Sequence, residues 1–123
     1  MQKPYPKINY AKYLEVDAIT NLQHPKSVEY GKPAHDEMLF IIIHQTYELW
    51  FKQILFEMDS ALEMFGAAHI NERDMLKIVS RLDRVLEIQK LLILQVDVLE
   101  TMTPMDFLEF REFLVPASGF QSA

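Results

Sequence analysis

The sequence predicts an all-α fold: two long antiparallel helices with short flanking helices, in a single domain spanning residues 1–123. Three observations carry this. Three Gly and six Pro in 123 residues leave few places for turns, so long uninterrupted elements are expected. Apolar residues recur at helical spacing through residues 36–65 and again through 71–101. No strand-like alternation of useful length occurs. Composition narrows the function classes. The net charge is −6, with no Lys/Arg run, which argues against nucleic acid as a partner. Cys is absent, so disulfides, thiolate zinc and Cys nucleophiles are excluded. No run of about 20 apolar residues is present to span a membrane, and the first residues lack a signal-peptide core. A cytoplasmic protein is the expectation.

Taken in order, residues 1–8 carry two prolines and should form an extended arm. A short helix is predicted over 9–23, with Asn9 as its N-cap. Its Tyr10, Tyr13 and Leu14 share one face, which docks on its own domain or on another body. His24-Pro25 stops it, because the residue before proline avoids the α region. Residues 24–34 then read as a loop. The first long helix runs from the N-cap Asp36 to Phe65, with Gly66 as its stop. About 30 residues at ~1.5 Å each make a rod of ~45 Å. Met38 to Ile43 is apolar without a break, so that stretch should be covered on all sides. Asn71 caps the second long helix, in which Leu91 to Leu94 is again apolar all round. A short connection makes residues 36–101 an antiparallel hairpin with one face left needing a partner. Thr103-Pro104-Met105-Asp106 is a helix start: Thr as N-cap, Pro at the first position, Asp reaching back. This last helix should span 104–114, ended by Pro116.

Two places carry chemistry. His44 sits at the end of the apolar run, four residues after Phe40 and four before Glu48. Phe40 and His44 therefore look into one space. A histidine on an apolar helix is more often a satisfied core residue than a functional one. No His-x-x-x-His or Glu-x-x-His occurs, and His35 and His44 point to opposite sides of the helix, so no metal site is expected. In the second place, Arg111 lies among Phe107, Phe110 and Leu114, with Phe107 one turn before it on the same face. Such an Arg either snorkels or pairs with Glu109 or Glu112, or it serves as a guanidinium fork for a carboxylate. Ser118-Gly119 offers a hydroxyl and a close-approach amide to an anion.

Both places coincide with motifs. His35-Asp36-Glu37-Met38-Leu39-Phe40-Ile41-Ile42-Ile43-His44-Gln45-Thr46-Tyr47-Glu48-Leu49-Trp50-Phe51-Lys52 resembles the signature helix of the tryptophan 2,3-dioxygenases. Thr103-Pro104-x-x-Phe107-x-x-Phe110-Arg111-x-x-Leu114-x-Pro116-x-Ser118-Gly119-Phe120-Gln121-Ser122 resembles that family's carboxylate-binding segment. The resemblance runs from about Tyr10 to Ser122. It implies a haem b enzyme that inserts both atoms of O2 across the indole C2–C3 bond of L-tryptophan. The product would be N-formylkynurenine, the first step of tryptophan catabolism by the kynurenine route. His44 would be the distal histidine near the indole N–H. Phe40 would pack on the indole, Phe107 (Tyr or Phe in the family) would line the pocket, and Arg111 would hold the carboxylate. Ser118, Gly119 and Leu114 would border the haem. Tyr10, Tyr13 and Leu14 would reach the active site of a neighbouring subunit, within a tetramer.

The chain departs from that pattern in one respect. The family's proximal haem histidine and a Thr-containing closing loop lie beyond its last residue, none of His24, His35 or His69 matches the ligand, and Ala123 differs from what usually follows. The expectation is an N-terminal fragment holding the distal half of the pocket, inactive alone and without its own iron ligand. The competing reading is a non-catalytic helical oligomerisation module with a vestigial pocket. Arg111 argues against that reading, since pure assembly gains nothing from a charge there.

Overall fold

The computed structural model describes residues 4–122, apart from the side chain of Phe120. Residues 1–3 of the expected arm and the departure at Ala123 lie outside the described residues. The described residues form helices and turns and no strand, confirming the all-α class.

The N-terminal segment differs from the single helix expected over 9–23. It forms two four-residue turns, α1 (Tyr10–Tyr13) and α2 (Val16–Ile19). Asn9 caps α1 as predicted, its side chain accepting from the amides of Ala11 (2.9 Å) and Lys12 (3.2 Å). Glu15 then adopts φ 53, in the left-handed region, and breaks the helix. That conformation costs a non-glycine residue about 1–2 kcal/mol. A helix this short has too little cooperativity to pull such a residue into line without tertiary packing, and α1 and α2 bury none of their own residues.

Within the expected 24–34 loop, Lys26–Glu29 makes a helical turn, α3. Its N-cap, Pro25, offers no capping side chain. The cap comes from the next helix: Glu37 carboxylate oxygens accept from the amides of Lys26 and Ser27, each at 2.8 Å. Ser27 Oγ in turn accepts from the Ala34 amide at 3.0 Å. Glu37 is 1% exposed and Ser27 fully buried, yet both are satisfied.

Helix α4 (Glu37–Phe65) and helix α5 (Glu72–Leu99) pack on one another. Asp36 sits at the N-cap of α4 but makes no capping bond; the neighbouring acid, Glu37, has turned inward instead. Asn71 does cap α5, accepting from the Asp74 amide at 2.8 Å. Four contacts fix an antiparallel register, since numbers fall on α5 as they rise on α4. Thr46 donates to Gln95 (3.3 Å), Tyr47 to the Leu92 carbonyl (2.7 Å), Arg84 to Glu57 (2.8 Å), and Arg81 to Ser60. Ile43, Ala61, Ile78, Val85 and Ile88 form the seam.

The all-round burial expected at Met38–Ile43 and Leu91–Leu94 is not met. Met38, Ile42, Leu91, Ile93 and Leu94 are exposed, because a two-helix hairpin can cover one stripe of each helix and no more. Leu49, Leu55, Phe56, Leu76 and Leu86 also stand open.

Helix α6 is shorter than expected. Thr103 and Asp106 form the predicted capping box (2.9 and 3.1 Å), but the helix is Pro104–Leu108, and a 3-10 turn follows at Arg111–Leu114. Phe110, between them, is 0% exposed. Turning Phe110 into the aromatic cluster ends the α geometry, so the helical face proposed for Phe107 and Arg111 does not form.

Two carboxylates link this architecture to pH. The Arg84 guanidinium, and then Gln53 at 2.7 Å, hold Glu57 below the ordinary carboxylate range. The Thr103 amide and hydroxyl do the same for Asp106. A lowered folded-state pKa stabilises above the unfolded value, about 4 for Asp and Glu, and that contribution is lost as pH falls through the folded pKa. Urea denaturation should therefore show stability falling below about pH 4, with a smaller fall in Arg84→Ala. At pH 7, Arg84→Ala should lose more than Lys90→Ala. Lys90 pairs with Glu87 on the open surface, whereas Arg84 neutralises a Glu57 side chain only 4% exposed.

Candidate active site

A cleft of about 370 Å³ lies between α4 and the C-terminal segment, within the range of small-molecule sites (~300–1,000 Å³). Phe40, His44 and Glu48 line it from α4; Leu114, Ser118 and Gly119 line it from the other side. Helical spacing places the first three on one face. Val115, Pro116 and Ala117 carry the chain from the 3-10 turn to Ser118, and Ser122 Oγ donates to Glu48 at 2.9 Å, fastening the segment to α4.

The rings of Phe40 and His44 lie 4.2 Å apart, as the i,i+4 spacing predicts. Behind them, Phe40 meets Phe107 at 5.7 Å and Phe110 at 5.4 Å. His44 Nδ1 is 2.7 Å from the Phe40 carbonyl oxygen. A carbonyl can only accept, so Nδ1 carries the proton in this bond. In the neutral ring, Nε2 is then the acceptor nitrogen. The histidine is neither a buried core residue nor a member of a metal cluster. It is exposed along the cleft, and no group of three His, Cys, Asp or Glu that could hold a metal occurs among the described residues.

Other predicted residues are placed differently. Leu114, Ser118 and Gly119 reach the cleft. A Cβ built on Gly119 would meet none of the described residues beyond its chain neighbours within 4 Å. Phe107 is half-buried behind Phe40 and does not line the cleft. Arg111 is exposed outside the lining, and its guanidinium makes no hydrogen bond or ion pair among the described residues. Neither Glu109 nor Glu112 pairs with it. Tyr10 and Tyr13 are 76% and 71% exposed, and with Leu14 they stay outside the cleft of their own chain.

Sequence reasoning missed two polar residues that shape the site. Gln45 donates to the Leu22 carbonyl (3.0 Å) and accepts from Gln23 (2.8 Å), tying the end of the N-terminal segment to α4 beside His44. No local pattern marks that contact. Glu37 caps α3 from one turn before Phe40. It stands directly before an apolar run, where the sequence reads Asp36 as the cap.

The family model described as Tryptophan 2,3-dioxygenase matches residues 5–123. The tryptophan 2,3-dioxygenase of Bdellovibrio bacteriovorus is 63% identical over 118 residues, which cover 96% of this chain and 33% of that protein. That of Dictyostelium discoideum is 57% identical over 115 residues (94% and 29%), and that of Aedes aegypti 56% over 113 residues (92% and 29%). The chain thus spans about a third of the length of these curated relatives. With the match running through both the α4 face and the C-terminal wall of the cleft, the chain belongs to the tryptophan 2,3-dioxygenase family.

Proposed function

We propose that this chain forms the substrate-side wall of a haem-dependent dioxygenase that opens the indole ring of L-tryptophan with O2 to give N-formylkynurenine. The observation that carries the reading is His44: its Nδ1–H is tied to the Phe40 carbonyl, which leaves Nε2 as an acceptor on a cleft wall beside an aromatic face. That pairing suits an indole, with Phe40 against the ring and Nε2 accepting the indole N–H. Arg111, free of partners among the described residues and three residues before the cleft residue Leu114, supplies the fork for the substrate carboxylate. A fork and a ring hydrogen bond together disfavour indoles without a carboxylate.

The residues fit one side of a haem. Leu114 would give apolar contact, Ser118 and Gly119 would hold a polar group of the haem, and among the described residues none beyond its chain neighbours crowds Gly119. None of His24, His35 and His69 lines the cleft, so a side chain holding the haem iron would have to come from another part of an enzyme of the relatives' length. Haem, when bound, supplies the oxygen chemistry; this chain orients the substrate and excludes water. In a cytoplasmic homotetramer, Tyr10, Tyr13 and Leu14 would complete the site of a neighbouring subunit, which accounts for their exposure here. The exposed apolar faces of α4 and α5 also favour a second reading, a non-catalytic helical oligomerisation module.

An optical haem titration separates the two. The chain alone should bind haem weakly, with no response to L-tryptophan. Fused to the C-terminal two-thirds of the Bdellovibrio relative, it should show a stoichiometric Soret band that shifts with L-tryptophan, and turnover. In that fusion, Arg111→Ala should weaken L-tryptophan binding about 10- to 100-fold, the worth of a charge-assisted hydrogen bond, and leave tryptamine unchanged. Turnover by the chain alone with added haem would overturn the half-site reading. A fusion that binds haem no better than the chain would favour the assembly module.

A further inference from the structure

Glu37 is buried one turn before Phe40 and yet does not line the cleft. Its partners lie on α3, whose first two amides it holds at 2.8 Å. A carboxylate on helix N-terminal amides is a strong, directional tie. Just beyond α3, Tyr30 stacks on Phe113 with ring centroids 5.2 Å apart. Phe113 belongs to the 3-10 turn that also holds Arg111 and Leu114, and α3 packs on that turn. The turn needs such support. Its N-cap residue, Phe110, gives it no side-chain capping bond, and a four-residue 3-10 turn is poorly self-sustaining. One route from α4 to the Arg111 turn thus runs through Glu37, α3 and the Tyr30–Phe113 stack, beside the direct Phe40–Phe110 ring contact at 5.4 Å.

We propose that Glu37 is a positioning residue for Arg111: its carboxylate fixes α3, and α3 holds the Arg111–Leu114 turn through the Tyr30–Phe113 stack. The functional part rests on Arg111 being the carboxylate fork; the mechanical part does not. Hydrogen exchange measured by mass spectrometry on the 123-residue chain tests the mechanical part. Glu37→Gln keeps the shape but loses the charge. It should speed exchange about tenfold in both 26–32 and 111–114, with the α4–α5 hairpin unchanged. Tyr30→Ala removes only the second contact. It should speed exchange about threefold to tenfold in 111–114 and leave the first turn of α3 as it was. Faster exchange everywhere would mean a merely structural role, and an unchanged 111–114 in both variants would mean no relay; either overturns the proposal.

The fusion described above tests the functional part. There Glu37→Gln should raise the KM for L-tryptophan several-fold while leaving kcat unchanged, and should narrow the preference over tryptamine. A KM that stays put while 111–114 loosens would overturn the positioning role. A fusion that neither binds haem nor turns over would count against the dioxygenase reading instead, with the exchange experiment still deciding the relay.

Discussion

Phe110→Ala should destabilise the chain by about 3–5 kcal/mol, the range for truncating a fully buried aromatic. Phe110 is 0% exposed and meets Phe40 and Phe107, each at 5.4 Å, so its removal leaves a void lined by rings on rigid backbone. For a domain of this size the Tm should fall by roughly 10–20 °C. Phe56→Ala is the control: Phe56 is 70% exposed, and its loss should change stability by well under about 1 kcal/mol in dilute solution. Phe110 also joins α6 to the cleft wall, so the variant should lose structure first in 103–122. Calorimetry with residue-level exchange reads both effects. A loss below about 1 kcal/mol would show that the C-terminal segment contributes little to holding the hairpin.

Glu37→Ala should cost about 3 kcal/mol, comparable to breaking two hydrogen bonds to a charged group and less than a cavity of phenyl size. The truncation leaves the amides of Lys26 and Ser27 without acceptors beside a fully buried Ser27. Glu37→Gln should fall between, since one amide oxygen can serve one donor while its NH2 group opposes the other. Asp36→Ala should cost less than either, because Asp36 makes no capping bond and its side chain instead reaches Asp106. Urea denaturation of the three variants ranks them. An equal loss for Asp36 and Glu37 would contradict the inward turn of Glu37.

The contrast between those two acids shows how far the sequence could be read. Both precede an apolar run, and N-cap preference selects Asp36. Only the position of α3 shows that Glu37 has donors waiting for it. The long hairpin was legible because its signal repeats over many turns, and the caps at Asn9, Asn71 and Thr103 because capping is local. The α6 boundary was not, since Phe110 is drawn inward by Phe40, about 70 residues earlier in the chain. His44 and Phe40 were found by spacing, and Ser118 and Gly119 by motif. The Gln45–Leu22 tie and the Tyr30–Phe113 stack join segments that no local pattern pairs.

The open apolar faces of α4 and α5 bear on what a stability measurement of this chain means. A compact monomer of 14.5 kDa should present about 6,900 Å² to water by the usual scaling of area with mass. This chain presents 10416 Å². The excess is about 3,500 Å². Any partner that covers part of it would enter the folding equilibrium as a reactant, and a measured free energy would then carry that partner's concentration.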